Sequence, residues 1–268
     1  MNRHVSGDIV YLTLDRLDAV SGLVHAVSTR VGGVSREPYD SLNLGLHVED
    51  DARAVCENRR RFAAAVAFPL EAVVSTRQVH GTDVRVVGRL DRGHGAQALP
   101  DESWNCDALV TSARGVFLMG FSADCPLILL VDRAASAVGL VHAGWRPAFS
   151  DIVGKTVSAM RKLGAEPERM LAGISPAIGP CCYEVDRDFR DAFPDDVDRR
   201  DRFFRPHGQK FLFDLPLFCH EMLRRSGLCE EYIESAGTCT RCNEELFFSH
   251  RASGGRTGRF AVVIGWTE

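Results

Sequence analysis

The residue pattern of this chain predicts an α+β fold, a mixed, mainly antiparallel sheet with flanking helices, and three observations carry that prediction. Short apolar runs rich in β-branched residues crowd the middle of the sequence, between Ala72 and Ile174. Helical periodicities are interspersed among them without the regular strand–helix alternation of βαβ units. Short polar connectors join successive runs in the manner of hairpins, which outnumber clear crossovers.

The bulk numbers bound the rest. With 268 residues, 45% hydrophobic and 25% charged, the chain can build a full core as one large domain or two closely joined ones. A net charge of -4 and scattered basic residues give no nucleic-acid footprint. There is no run of eighteen apolar residues, and Met1–Asp8 has no apolar h-region, so neither a membrane span nor a secretory signal is expected and a cytoplasmic setting is. Nine cysteines, an odd number without framework spacing, point to reduced thiols.

Taken in order, Val20 to Thr29 alternates weakly as a strand and enters Arg30-Val-Gly-Gly-Val-Ser35, whose glycine pair allows a tight turn. Such a loop can present N–H groups to an anion, but glycine pairs serve more often as plain turns. Asp50-Asp51 then supplies a helix N-cap, and Val55, Arg59, Phe62 and Val66 follow at helical spacing up to Phe68-Pro69. The run Glu57–Arg61 on that helix reads as a solvated face.

Ala72–Val79 reads as a strand ending at His80-Gly81, Val84–Val87 as the next, and Gly88–Asn105 as a loop or flap. Asp107–Thr111 and Gly115–Phe121 are further strands. A helix is expected from Ser150 to Leu163, with Ile152, Val153, Thr156, Val157 and Met160 on one stripe. Beyond it come the strand Leu171–Ile174, a proline-rich and glycine-rich loop over Ser175–Tyr183, helices near Asp186–Phe193 and Pro216–Arg225, and strands at Lys210–Asp214 and Phe260–Ile264.

The chemistry is expected where two apolar runs, Leu127–Val131 and Ala137–Val141, are joined by Asp132-Arg-Ala-Ala-Ser136. If Val131 lies opposite Ala137, then Pro126 lies opposite His142, and Cys125 and His142 meet at the open end with facing Cβ atoms roughly 5 Å apart. A slip of one residue would reverse the faces. His80 sits at a strand terminus, a place where a histidine alone is more often hydrogen-bonded than a ligand.

Together His80, Cys125 and His142 would suit zinc, because thiolate and imidazole are its usual partners and three protein ligands leave a fourth position open. Without metal, Cys125 beside His142 could act as a nucleophile and its base. Cys239-Thr-Arg-Cys242 has ligand spacing too, but no second pair of that spacing accompanies it.

A longer series of motifs narrows these choices. Ser28-Thr-Arg-Val-Gly-Gly-Val-Ser35, Pro38-Tyr-Asp-Ser-Leu-Asn-Leu-Gly45, Gln78-Val-His-Gly81, Asp124-Cys-Pro126, His142-Ala-Gly-Trp-Arg146, Ile178-Gly-Pro-Cys-Cys-Tyr-Glu-Val185 and Phe247-Phe-Ser-His-Arg251 together resemble the YfiH family. That family bears the older name multicopper polyphenol oxidase, or laccase-domain protein, and includes purine nucleoside phosphorylases. The likeness runs from about Gly22 to Ile264.

The resemblance implies one catalytic domain over residues 1–268, similar to the catalytic domain of cytotoxic necrotizing factor. It implies a catalytic zinc site on His80, Cys125 and His142. It implies phosphorolysis of adenosine, inosine, guanosine and methylthioadenosine, with adenosine deamination as a second activity. The partners would be a purine nucleoside and phosphate, the anion taken by Arg59, Arg146, Lys210 or Arg251, and Asn43 is a further candidate for substrate binding. The chain departs from the family at Pro147, where a glycine usually follows His-Ala-Gly-Trp-Arg.

The oxidase name is harder to reconcile. A true laccase holds four copper ions on about ten histidines, many in His-x-His pairs, whereas this chain has nine histidines and no such pair. Copper could still enter the same three ligands, since its affinity for N/S donors exceeds that of zinc. A Cys–His amide hydrolase remains the further alternative.

Overall fold

The computed structural model describes residues 1–195, 197 and 199–268. The chain opens with strands β1 (Asn2–Ser6) and β2 (Ile9–Thr13), a turn of helix α1 (Asp15–Asp18), strand β3 (Leu23–Ser28) and helix α2 (Ala52–Val66). Next come β4 (Val73–Ser75), β5 (Val84–Val86), β6 (Ala108–Thr111), β7 (Phe117–Ser122), β8 (Leu127–Asp132) and β9 (Ala137–His142). Helices α3 (Trp145–Phe149) and α4 (Ile152–Lys162) precede β10 (Leu171–Ile174), β11 (Glu184–Val185) and α5 (Arg187–Asp191). The remainder is β12 (Phe204–His207), β13 (Lys210–Phe213), α6 (Leu215–Arg225), β14 (Ile233–Ser235) and β15 (Phe260–Trp266).

Two six-stranded sheets form the body, in the orders β1-β2-β3-β15-β7-β4 and β14-β10-β8-β9-β6-β5, with a small sheet β11-β13-β12 beside them. Among the described strands only β4–β7, β5–β6 and β10–β14 pair parallel, so the sheets are mixed and mainly antiparallel as expected. Side-chain alternation sorts the core into layers. Leu118, Val262 and Ile264 of the first sheet pack against Leu127, Leu129 and Leu140 of the second. Their opposite faces turn outward: Met119 and Val263 toward Phe62 of α2, Ile128 and Leu130 toward the Val153 and Val157 stripe of α4. The result is a helix–sheet–sheet–helix stack. At Gly120 the sheets approach so closely that a Cβ would meet Leu127 and Leu140 at 3.2 and 3.3 Å.

The central hairpin forms, but its pairing is one residue off the expected one. Asp132 lies opposite Ala137 and Leu127 opposite His142. The reason is local: the Asp132 carboxylate accepts the N–H groups of Ala134 and Ala135, so it closes the turn from within the strand and leaves a four-residue connector. Pro126, which has no N–H for a ladder, stands just outside, and Cys125 still sits at the open end.

Other expectations are adjusted in the same way. The strand read over Ala72–Val79 stops at Ser75, because the Gln78 side chain, not a neighbouring strand, takes the Phe121 backbone: Gln78 Nε2 donates to its carbonyl at 2.9 Å and its N–H donates to Gln78 Oε1 at 2.8 Å. The glycine pair at residues 32–33 serves close packing, not an anion. A Cβ on Gly32 would stand 2.2 Å from the Asp8 carbonyl oxygen, and the N–H groups of Gly33 and Val34 are taken by Ser41 Oγ and Asn58 Oδ1. The helix expected from Ser150 is preceded by the separate short helix α3. Pro147 falls in its first turn, ahead of Ala148, the first residue to donate back to Gly144, so the proline displaces no hydrogen bond. Among the described residues no helix is long and apolar enough to cross a membrane.

Candidate metal centre

His80, Cys125 and His142 reach one point from three separate segments, with their ligand atoms all within 4.8 Å of one another. His142 ends β9; Cys125 lies between β7 and β8; His80 stands in the loop after β4. Two of these segments hold backbone that non-glycine residues adopt rarely, with φ of 59° at His80 and 93° at Asp124. Such conformations persist where the surroundings over-determine them, as at ligand sites. Gly144 completes the approach: a Cβ there would stand 3.0 Å from the His80 ring and 3.1 Å from the Cys125 sulfur.

Asp107 organises the centre from behind. Its Oδ1 accepts from His142 Nδ1 at 2.8 Å, and its two oxygens also accept the backbone N–H groups of Val79, His80 and Gly81. One buried carboxylate therefore sets the orientation of one ligand and the loop of another. Since a carboxylate only accepts, Nδ1 carries the proton and Nε2 is left for a metal.

The electrostatics agree with a ligand role. Burial alone would push the Cys125 thiol up, but the His142 and His80 rings beside it more than offset this and bring it down to about 6. Burial likewise opposes charge on His142, yet the Asp107 carboxylate and the Cys125 sulfur raise it to about 9. A thiolate and two imidazoles in reach of one point are a donor set fitted to a borderline-soft divalent cation.

The three side chains lie on the wall of an open cleft of about 300 Å³, at the small end of ligand pockets, which span roughly 300–1,000 Å³. Phe121, Ile178 and Tyr183 give it an apolar side; His47, Arg251 and Arg259 give it a cationic and polar one. Of the five substrate-binding candidates named from the sequence, Arg251 lines this cleft. Its N–H donates to Asp124 Oδ2 and its guanidinium to the Glu184 carbonyl.

The other four stand elsewhere. Arg59 is 2% exposed and lies behind Phe121, its guanidinium donating to the carbonyls of Leu44, Gly95 and Ala96. Its helix face is thus buried at Asn58 and Arg59, not solvated throughout. Asn43 is buried and accepts the Arg259 N–H. Arg146 stacks on Trp145 at the surface, and Lys210 is paired with Glu184.

Sequence reasoning gave no role to Asp107, His47 and Arg259, brought in by tertiary packing, or to Asp124 and His250, the sequence neighbours of Cys125 and Arg251. Asp107 had a usable signal, because a metal-bound histidine almost always donates its second N–H to an acceptor such as a carboxylate. The lone Cys239-x-x-Cys242 pair also has company: Cys181 and Cys182 lie beside it, and the four sulfurs are within 4.8 Å of one another.

With the geometry in place, the relatives fall into line. A family model described as multi-copper polyphenol oxidoreductase laccase matches residues 24–267. The chain belongs to this laccase-domain family, the family of YfiH and YlmD proteins. The purine nucleoside phosphorylase YlmD of Geobacillus stearothermophilus is 41% identical over 253 residues, 92% of either chain. The purine nucleoside phosphorylase YfiH of Escherichia coli K12 is 37% identical over 244 residues, 91% of this chain and 93% of its own. Among solved structures, YlmD from Geobacillus stearothermophilus superposes with a TM-score of 0.89 at 37% identity over 99% of this chain and 98% of its own. The Bacillus licheniformis hypothetical protein YfiH does so at 0.89 and 31% identity over 97% of each.

Proposed function

We propose that this chain is a zinc-dependent purine nucleoside phosphorylase, acting on adenosine, inosine, guanosine and methylthioadenosine, with adenosine deamination as a second activity. The observation that carries the reading is the meeting of the His80, Cys125 and His142 ligand atoms on the wall of a cleft that also presents Arg251 and Arg259. Relatives named as purine nucleoside phosphorylases over nine-tenths of the chain support it.

In this reading His80, Cys125 and His142 hold zinc, which supplies a Lewis acid able to polarise a substrate oxygen or activate a water. Arg251 and Arg259, the guanidinium groups on the cleft wall, bind phosphate and hold it beside the sugar. A phosphate oxygen then forms the bond to C1′ as the bond from C1′ to the purine nitrogen breaks, and the purine leaves with that electron pair and takes a proton. The base lies against the apolar side formed by Phe121, Ile178 and Tyr183. Burial pushes the Tyr183 phenol up, so it stays a proton-bearing donor on that wall. A cytoplasmic setting goes with the reading, because the ligand thiol must stay reduced.

The assay is release of free base from adenosine by the zinc-loaded chain, with and without phosphate. Phosphate-dependent release, lost in Cys125→Ala and His80→Ala, is expected; no release with zinc and phosphate both present overturns the reading. A second reading rests on the lowered Cys125 thiol, the raised His142 and the Asp107 behind it, which also make a nucleophile–base–orienter row. Amide hydrolysis that persists after chelation would favour it. Phenol oxidation that appears only with added copper would mark the oxidase name as an activity of copper in the same three ligands.

A further inference from the structure

Cys181, Cys182, Cys239 and Cys242 play no part in the reading above, yet four sulfurs drawn from two distant loops converge on one point. Cys242 Sγ lies 3.5 Å from Cys181 Sγ and 3.4 Å from Cys182 Sγ, and all four fall within 4.8 Å of one another. A tetrahedral cation with metal–sulfur bonds of 2.3 Å holds its sulfurs about 3.8 Å apart. Both of these separations fall just under that value, and the 4.8 Å limit on the others leaves room for it. None of the four is in a disulfide.

The surroundings are built for such a cluster. The Gly179 N–H donates to Cys239 Sγ at 3.3 Å, and the Cys242 N–H faces the same sulfur, the kind of support that metal-bound thiolates receive. A Cβ on Gly179 would stand 3.3 Å from Cys239 Cβ and 3.4 Å from Cys181 Sγ. The two loops are already joined by backbone: Ala177 pairs with Cys239 as a parallel bridge, the Ala177 N–H donates to the Thr238 carbonyl, and the Thr240 N–H donates to that of Ala177.

We propose that these four cysteines form a second metal site, a tetrathiolate centre for a single zinc ion, distinct from the His80–Cys125–His142 centre and structural in role. Binding releases the thiol protons and places no open position on the ion, as expected of a closed structural site. The site would fasten together the roots of two segments that wall the cleft, one leading to Tyr183 and the other to His250 and Arg251.

The test uses the full chain carrying Cys125→Ser, reduced and metal-free, titrated with cobalt(II) alone. Removing Cys125 leaves the four cysteines as the metal-binding thiolates under test, so failure here is separable from failure of the phosphorylase reading. The expected result is intense thiolate-to-cobalt charge transfer with tetrahedral visible bands, saturating at one equivalent per chain. Adding Cys239→Ser with Cys242→Ser should abolish both; Cys242→His, which keeps a donor, should retain the tetrahedral bands with weaker charge transfer. Three results overturn the proposal: no charge transfer in the Cys125→Ser chain, bands unchanged in the double serine variant, or a disulfide among the four in chain purified without oxidant. Should the double variant fail to fold, a folded Cys242→His chain without cobalt–thiolate bands overturns it equally.

Discussion

Asp107 and His142 are joined by a 2.8 Å hydrogen bond from Nδ1 to a carboxylate oxygen, and the same carboxylate takes three consecutive backbone N–H groups beginning at Val79. Asp107→Asn keeps the shape of this arrangement and exchanges one acceptor for a donor that clashes with the donors facing it. Metal affinity should fall about 10-fold to 100-fold, the usual effect of losing such a partner. Chelator competition on the folded variant measures it, and an unchanged affinity would remove Asp107 from its positioning role.

The coupling of Cys125 to its histidines should show in pH dependence. In metal-free protein the Cys125 thiol, brought down to about 6, ionises well below the ordinary thiol range. The stability tied to that thiolate is present above the unfolded-state value and lost as pH falls through about 6. For His142, raised to about 9, the sign reverses: its contribution is full below its unfolded value and lost as pH rises through about 9. Iodoacetamide alkylation of Cys125, followed by mass spectrometry of its peptide, should have a midpoint near pH 6, moving upward in His142→Ala. A midpoint in the ordinary thiol range for the parent chain would show that the rings do not stabilise the thiolate.

Gly144 is where packing and chemistry meet. Gly144→Ala places a methyl group 3.0 Å from the His80 ring and 3.1 Å from the Cys125 sulfur, so the ligands themselves must yield. Small displacements at a reacting centre cost about 100-fold in rate. Phosphorolysis should drop by at least about 10-fold while the thermal midpoint changes little, and a variant with full activity would argue that the ligands have room to spare.

Arg59 and Arg251 should separate cleanly. Removing Arg59 in Arg59→Met strips donors from three buried carbonyls, and losing several such bonds should destabilise the chain by about 3 kcal/mol in denaturant unfolding. Its folded fraction should keep the parent KM for phosphate. Arg251→Ala should leave stability nearly unchanged and raise that KM about 10-fold or more, as expected for losing one charge-assisted contact. The opposite pattern would return Arg59 to the anion site.

What was legible in the sequence was periodic. Helix α2 begins at the Asp51 cap and ends just before Phe68, because Val55 and Phe62 sit at one-face spacing. The β8–β9 hairpin follows from two apolar runs, though its pairing turned on the Asp132 side chain, which no period records. The ligand triad came from a family resemblance as much as from spacing. His47 and Arg259 were illegible because each reaches the cleft only through tertiary contacts, whereas Asp107 stands beside His142 in the same sheet, next to the Ala108–Val141 pair. The second cysteine pair escaped because its members are adjacent in sequence, while Cys182 and Cys242 are 60 residues apart.

Asp124, next to Cys125, accepts the Thr240 hydroxyl and the Arg251 N–H on its carboxylate and the Ile178 N–H on its carbonyl. Three loops are thereby keyed to one residue that stands outside the His80–Cys125–His142 donor set. The division has a consequence for descent. A lineage could lose its activity through Cys125 and keep its architecture, whereas a change at Asp124 would unseat the loops together, so relatives that have drifted to new chemistry should be recognisable by the aspartate they kept.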